Sequence, residues 1–247
     1  MEFTLITIIL FGIVVLCTHF LEAVTGFGCT VLALPFCILL VGTKVAVPIL
    51  TILAWILAIY VIIIDHKHIV MKEFLRILLY VGLGFPIGMY LFDHLPEHEL
   101  KIFLAIFMIL VSIRGLAVCF LKNIKSFNIS KHVLNVVLFL GGIIHGAFSS
   151  GGPFVVIYAT KALPKKSNFR ATLCTLWATL NTITIVKYFI KGDVFSTPGF
   201  TKLLLGVIPF LFVGMLLGNK AHNKVDEILF TRMVYGVLLV SGFIMLI

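Results

Sequence analysis

Two short polar stretches interrupt a chain that is otherwise strongly apolar: "EAVTGFG" (22–28) and "FSSGGP" (148–153). Both combine hydroxyl groups with glycine, which weakens helices and lets a ligand approach the backbone. Free N–H groups at the start of a following helix carry partial positive charge and suit an anion. We therefore expect substrate-binding residues at Thr25, Gly26, Phe27 and Gly28 (the first break), and at Ser149, Ser150, Gly151, Gly152 and Pro153 (the second break). The alternative is that these glycines only permit close helix packing.

Polar side chains further along the chain extend this predicted site. Lys44 and Arg170 stand at the start of the third apolar segment of each half of the sequence. A guanidinium binds sulfonate or carboxylate oxygens in a bidentate way, although charges near helix ends also reach out to the membrane interface. Asn181 lies in the apolar run "LWATLNTITIV" and either donates to the ligand or joins two helices.

Three ionisable residues in or beside apolar runs are candidates for proton coupling: Glu22, His19 and His145. Structural hydrogen-bonded histidines, and a glutamate in interfacial water, are the alternatives. Asp65, His66 and His68 lie together in a polar loop, where we predict solvation and no metal site. We also expect no cofactor.

The composition is that of an integral membrane protein. Hydrophobic residues make up 61% and charged residues 12% of the 247 positions, and the mean hydropathy is +1.20. Soluble domains carry roughly 25% charged residues. Runs such as "VAVPILTILAWILAIYVIII" are long enough to cross a hydrocarbon core, which takes about 20 residues. We therefore predict an all-α integral membrane protein.

About ten apolar segments are predicted, corresponding to 8–10 transmembrane helices with broken or re-entrant elements. They fall at 3–21, 27–42, 45–64, 74–92, 100–121, 133–149, 152–163, 171–190, 200–218 and 228–247. An offset of 126 residues aligns His19 with His145, Gly26 with Gly152 and Lys44 with Arg170, which indicates a duplication. The first repeat would be 1–121, the connecting loop 122–132 and the second repeat 133–247.

Five segments in each repeat would insert the second repeat upside down. With the N-terminus outside, 14 of the 19 basic residues fall in cytoplasmic loops and 5 on the other side. That distribution agrees with the positive-inside rule. The net charge of +9 is thus explained by topology, and we predict no nucleic-acid partner.

Inverted repeats with a discontinuous helix in each half are typical of secondary transporters. Irregular backbone at membrane depth is tolerated where it is buried in protein or lines a watery cavity. We therefore expect the two breaks to face each other near the bilayer midplane and to bracket one anion.

Two motifs carry a resemblance to a known family. "TGFGCTVLALP" (25–35) is similar to the first-half signature of the sulfite exporter TauE/SafE family, and "GGIIHGAFSSGGPFVVIY" (141–158) with "RATLCTLWATLN" (170–181) resembles the second. The similarity covers essentially the whole chain. It implies a transporter of sulfite, organosulfonates or related small organic anions. The "SSGGP" here replaces the more glycine-rich "GxGGG" often seen in the family, so the resemblance does not predict the shape of the second pocket.

The expected function is gradient-coupled transport of a small anion, with no chemistry performed on it. An anion channel with paired half-helices is one alternative, and an intramembrane serine hydrolase using Ser149 or Ser150 with His145 is another. We expect a multi-pass protein of the cytoplasmic (inner) membrane that contacts lipid and its anionic substrate. A homo-oligomer is possible, and the sequence does not predict the oligomeric state.

Overall fold

The computed structural model describes residues 3–120, 130–192 and 194–222, with helical residues at 235–236, 239–240, 242–243 and 246. This part of the chain is helical and contains no strand, so the all-α prediction is confirmed. Its helices are α1 (Leu5–Thr25), α2 (Cys29–Val41), α3 (Thr43–Asp65), α4 (Met71–His94), α5 (Glu97–Phe120), α6 (Lys131–Phe148), α7 (Gly152–Ala162), α8 (Lys166–Lys191) and α9 (Phe200–Ala221). A short 3-10 helix, His66–His68, follows α3.

Six of the described helices are long and apolar enough to cross a membrane: α1, α3, α4, α5, α8 and α9. By contrast, α2 has 13 residues and α7 has 11. At 1.5 Å per residue these two helices are about 20 Å and 17 Å long, shorter than a hydrocarbon core of about 30 Å. The helices that follow the two breaks are therefore too short to span.

The tenth predicted segment, 228–247, lies largely outside the described residues, as does most of the predicted connection 122–132. Helix α6 begins inside that connection, at Lys131, because the Ser130 hydroxyl accepts a hydrogen bond from the Val133 N–H at 3.4 Å. The count of ten segments and the division into two repeats stay predictions.

The polarity of the described bundle is that of a protein surrounded by lipid. Large apolar side chains such as Leu5, Leu79 and Ile190 are 60–80% exposed on the outside of helices. Polar side chains are instead buried between helices, among them Glu22 and Arg170. Such residues in a membrane bundle face the interior and pair with one another or with backbone groups.

Glycines bring two pairs of helices into backbone contact. A Cβ at Gly88 of α4 would overlap the Ile143 carbonyl oxygen of α6, and a Cβ at Gly214 of α9 would approach the Leu16 carbonyl oxygen of α1. Small residues allow this approach in membranes, where van der Waals packing drives helix association. As a result α4 lies along α6, and α1 lies along α9.

The third close pair is α3 with α8. The Trp55 indole N–H of α3 donates to the Thr182 hydroxyl of α8 at 2.8 Å. Helix α2 packs against α1 and α3, and α7 packs against α6. Hydrogen bonds from Trp177 of α8 to the Gly26 carbonyl and between Thr51 of α3 and Ser149 place both breaks beside the α3–α8 pair.

Candidate functional site

The first break is a turn of two left-handed glycines between α1 and α2. Gly26 has φ 87° and Gly28 has φ 104°, a backbone region that residues with a side chain rarely adopt. The Thr25 hydroxyl lies 2.9 Å from the carbonyl oxygens of both Leu21 and Phe27. Thr25 is thus engaged with the backbone of the break itself.

The Glu22 carboxylate occupies the start of α2. Its Oε2 accepts a hydrogen bond from the Cys29 N–H at 2.6 Å, and the residue is 3% exposed. The first N–H groups of a helix have no partner within that helix and carry its partial positive charge. A protein carboxylate therefore fills a place at which an anion would be stabilised.

The second break turns the chain between α6 and α7. Ser149 has φ 51°, and its N–H donates to the His145 carbonyl at 2.7 Å, closing α6. Its hydroxyl pairs with the Thr51 hydroxyl of α3 at 2.7 Å. Pro153 lies in the first turn of α7, where a residue without an N–H loses no helical hydrogen bond.

The two breaks are in contact with each other. A Cβ placed on Gly152 would lie 3.5 Å from the Phe27 ring and 4.0 Å from the Gly28 nitrogen. The start of α7 and the start of α2 are therefore neighbours, although more than 120 residues of sequence separate them.

A partly open cavity lies where the breaks meet, with about 300 Å³ of space free of protein atoms, its mouth included. The residues that line it are Glu22, Gly28, Thr30 and Val31 at the first break, His145, Ser149, Ser150 and Gly152 at the second, Ala54 on α3, and Trp177 and Asn181 on α8. The Ser150 hydroxyl is buried, in a residue 3% exposed, and it has no hydrogen-bond partner among the described residues. A buried hydroxyl in that state can still bind a ligand atom.

The His145 ring is held by three neighbours. Its Nδ1 accepts from the Gly151 N–H at 3.5 Å, so the hydrogen lies on Nε2, which donates to the Asn181 Oδ1 at 3.0 Å. The ring stacks on Trp177 with centroids 5.0 Å apart. Both ring nitrogens thus bond groups other than the hydroxyls of Ser149 and Ser150, unlike a base that activates a serine.

Of the predicted site residues, Gly28, Ser149, Ser150, Gly152 and Asn181 line the cavity, as do the proton-coupling candidates Glu22 and His145. Thr25, Gly26, Phe27, Gly151 and Pro153 build the breaks without lining it. His19 lies within α1, where its Nδ1 is 2.9 Å from the Val15 carbonyl oxygen.

Arg170 and Lys44 lie at opposite ends of the α3–α8 pair and do not line the cavity. The Arg170 guanidinium donates to the Asn219 side-chain oxygen at 2.8 Å and lies 3.6 Å from the Asp65 carboxylate at the end of α3. The Lys44 ammonium donates to the Phe92 carbonyl and lies over its ring, 4.4 Å from the centroid. Both side chains, predicted as anion ligands, instead contact groups of the protein.

Sequence reasoning missed Thr30, Val31, Ala54 and Trp177 as lining residues. The signal for Trp177 was present, because Trp177 and Asn181 are four residues apart and so share one face of a helix. The hydroxyl of Thr30 offered a similar hint, in the second position of α2.

The fold and site define a multi-pass α-helical membrane protein with a small polar cavity inside its bundle. The family model "Sulfite exporter TauE/SafE" matches residues 10–245. The chain belongs to the sulfite exporter TauE/SafE family, which confirms the resemblance carried by 25–35, 141–158 and 170–181. No curated protein and no solved structure matches it. Membership indicates a membrane transporter of sulfite-type anions, and the inner membrane is the typical location of the family.

Proposed function

We propose that the protein is a secondary transporter that moves small sulfur-containing or organic anions across the cytoplasmic membrane by alternating access. The observation that carries the proposal is the unpartnered, buried hydroxyl of Ser150, in a cavity formed where the starts of α2 and α7 meet. Hydroxyl and backbone N–H donors complement oxyanions such as sulfite, sulfonate and carboxylate.

The other cavity walls suit the organic part of such a substrate. Trp177, Ala54 and Val31 offer apolar surface, whereas Ser149, Thr30 and Asn181 offer polar atoms. Binding sites commonly combine apolar walls with a few placed polar groups. The small size of the cavity favours sulfite, a short sulfonate or a short carboxylate.

The packing supports two inverted repeats related by an offset of 126 residues. Under that offset α1 corresponds to α6 and α4 to α9, so the close pair α1–α9 corresponds to the close pair α6–α4. The same offset relates α3 to α8, so an exchange of the two halves leaves the α3–α8 pair in place. A two-fold relation between the halves would produce this exchange, and inverted repeats around a central site are the architecture of many secondary transporters.

The polar clusters at the two ends of the α3–α8 pair are also related by the offset of 126 residues. Lys44, Asp93 and Lys191 correspond in sequence to Arg170, Asn219 and Asp65. At one end Lys187 and Lys191 lie 2.8 and 2.6 Å from the Asp93 carboxylate, and at the other Arg170 lies near Asp65. Each cluster joins one half of the chain to the other. Their alternate opening would expose the cavity to one side of the membrane at a time.

Transport by the purified protein in liposomes tests the proposal. Uptake of labelled sulfite, ethanesulfonate, sulfoacetate and acetate is measured with and without a counter-gradient of the same anion. Saturable uptake that the counter-gradient accelerates, and that Ser150→Ala slows while Ser196→Ala does not, is expected. Ser196 is a matched control because it lies on an exposed loop. Conductance that rises linearly with voltage would indicate a channel, and failure to move any of these anions would refute the proposal.

A further inference from the structure

Glu22 holds a position in the cavity that conflicts with an anionic substrate. Its carboxylate bonds the Cys29 N–H at the start of α2, in the same cavity as the unpartnered Ser150 hydroxyl. The described residues that line this cavity include no lysine or arginine. Two negative charges confined together in a site of low dielectric repel each other strongly.

Neither Arg170 nor His145 supplies a positive charge to this cavity in the described arrangement. Arg170 is paired with Asp65 and Asn219 outside the cavity. His145 uses Nδ1 to accept and Nε2 to donate, which is the pattern of a neutral ring. Titratable or charged groups on the elements around Glu22 are Cys29 on α2, Cys174 and Arg170 on α8, His145 on α6, and His222 after α9, which bonds the Val24 carbonyl.

We infer that the Glu22 carboxylate places a competing negative charge in the cavity at the start of α2, and that substrate binds beside it when this carboxylate takes up one proton. The inference rests on the proposed function and assigns its coupling ion. The proton adds to a carboxylate oxygen of Glu22, which removes the competing charge. The protonated group can then donate its O–H to an oxygen of the substrate, and the proton is released when the substrate leaves.

The geometry separates Glu22 from the two histidines that could also relay protons. His19 does not line the cavity, and its Nδ1 is bonded within its own helix. A proton on His145 Nδ1 would break its hydrogen bond with the Gly151 N–H and disturb the second break. Protonation of Glu22 leaves a carbonyl oxygen able to accept from Cys29, so the first break keeps its bond.

Calorimetric binding of ethanesulfonate to the purified protein tests the inference, because a sulfonate does not itself titrate near neutral pH. Titrations in two buffers of different ionisation enthalpy give the number of protons taken up. We expect about one proton per anion, and a dissociation constant that rises about tenfold per pH unit in the upper part of the range. Infrared difference spectra should show the carbonyl stretch of a newly protonated carboxylic acid.

Glu22→Gln is the decisive variant, since the amide is neutral and retains an oxygen that can accept from Cys29. It should bind ethanesulfonate with a dissociation constant independent of pH, without proton uptake and without the new infrared band. Glu99→Gln, at an exposed position of α5, should behave as the wild type. Folding of both variants is verified by gel filtration and thermal unfolding.

The outcomes separate this inference from the proposed function. Binding by the wild type without proton uptake would overturn the role of Glu22 and leave anion transport standing. Proton uptake that persists in Glu22→Gln would likewise overturn it, because another group would carry the proton. If neither protein binds ethanesulfonate, sulfite, sulfoacetate or acetate, the proposed function fails and the inference fails with it.

Discussion

Trp177 donates a hydrogen bond of 3.1 Å from its indole N–H to the carbonyl oxygen of Gly26, tying α8 to the first break. Thr51 stands 126 positions before Trp177, and its hydroxyl bonds Ser149 in the second break. Helix α8 therefore holds the first break, and α3 holds the second. This cross-linking keeps irregular backbone in place inside the bundle, where buried polar groups need partners.

Loss of the indole donor should loosen the first break. Trp177→Phe leaves the buried Gly26 carbonyl without that bond, and we expect a destabilisation of about 1–3 kcal/mol together with weaker anion binding. Thermal unfolding in detergent and calorimetry measure the two effects. Trp55→Phe is the matched control, since its indole N–H bonds the Thr182 hydroxyl of α8 and not a carbonyl of a break. Equal effects on binding in both variants would contradict the prediction.

Removal of the Ser150 hydroxyl should weaken substrate binding with little change in fold. We expect a loss of about 0.5–1.5 kcal/mol for a neutral hydrogen bond, and about twice that to a charged acceptor. Because the hydroxyl has no partner among the described residues, Ser150→Ala should leave the unfolding temperature nearly unchanged. An unaltered dissociation constant for every anion tested would remove Ser150 from the site.

Side-chain size at Gly152 should decide whether the cavity works. A Cβ there meets the Phe27 ring at 3.5 Å, an ordinary contact, so Gly152→Ala should keep transport. The longer side chain of Gly152→Leu should fill the space between the two breaks and block transport while expression is largely retained. Uptake assays normalised to protein in the membrane compare the pair. Equal transport by both variants would show that the substrate path lies elsewhere.

The two ends of α8 should lie on opposite sides of the membrane. The 26 residues of α8 extend about 39 Å, from the Lys165 end to the Lys191 end, where Asp93 is bound. In a background without the native cysteines, Glu99→Cys should react with an impermeant maleimide from outside intact cells, and Lys165→Cys only after the cells are opened. Labelling of both from one side would rule out the inverted arrangement.

His222 should make stability depend on pH. Burial lowers the pKa of His222, opposed by its hydrogen bond to the Val24 carbonyl at 2.6 Å and reinforced by the nearby charges of Arg170 and Lys166. The folded protein thus favours the neutral ring, so its contribution to stability is lost as the pH falls through the unfolded value of about 6.5 towards the lower folded value. Unfolding temperatures measured from about pH 8 to pH 5 should fall less steeply in His222→Asn. An identical profile would assign the effect to other groups.

Hydropathy and local backbone chemistry were sufficient to predict the all-α membrane class and the positions of both breaks, and the family was indicated by the resemblance of two motifs. These features depend on residues close together in sequence: an apolar run must be helical in lipid because its backbone groups have no other partners there. Glycine and proline weaken helices, and the clusters in "TGFG" and "SSGGP" marked the ends of α1 and α6, whereas the similar cluster "GLGFPIG" (82–88) lies inside the continuous helix α4.

Only the tertiary structure decided which side chains reach the cavity. Most bundle-facing positions of these helices are as apolar as the lipid-facing ones, so the hydrophobic pattern alone does not reveal how each helix is rotated. Arg170 and Lys44 carried the expected charge, yet the packing of α3 against α8 directs them to opposite ends of that pair. Glu22 reaches the Cys29 N–H because two left-handed glycines fold α2 back beside α1, a contact that exists only once the first break has its three-dimensional form.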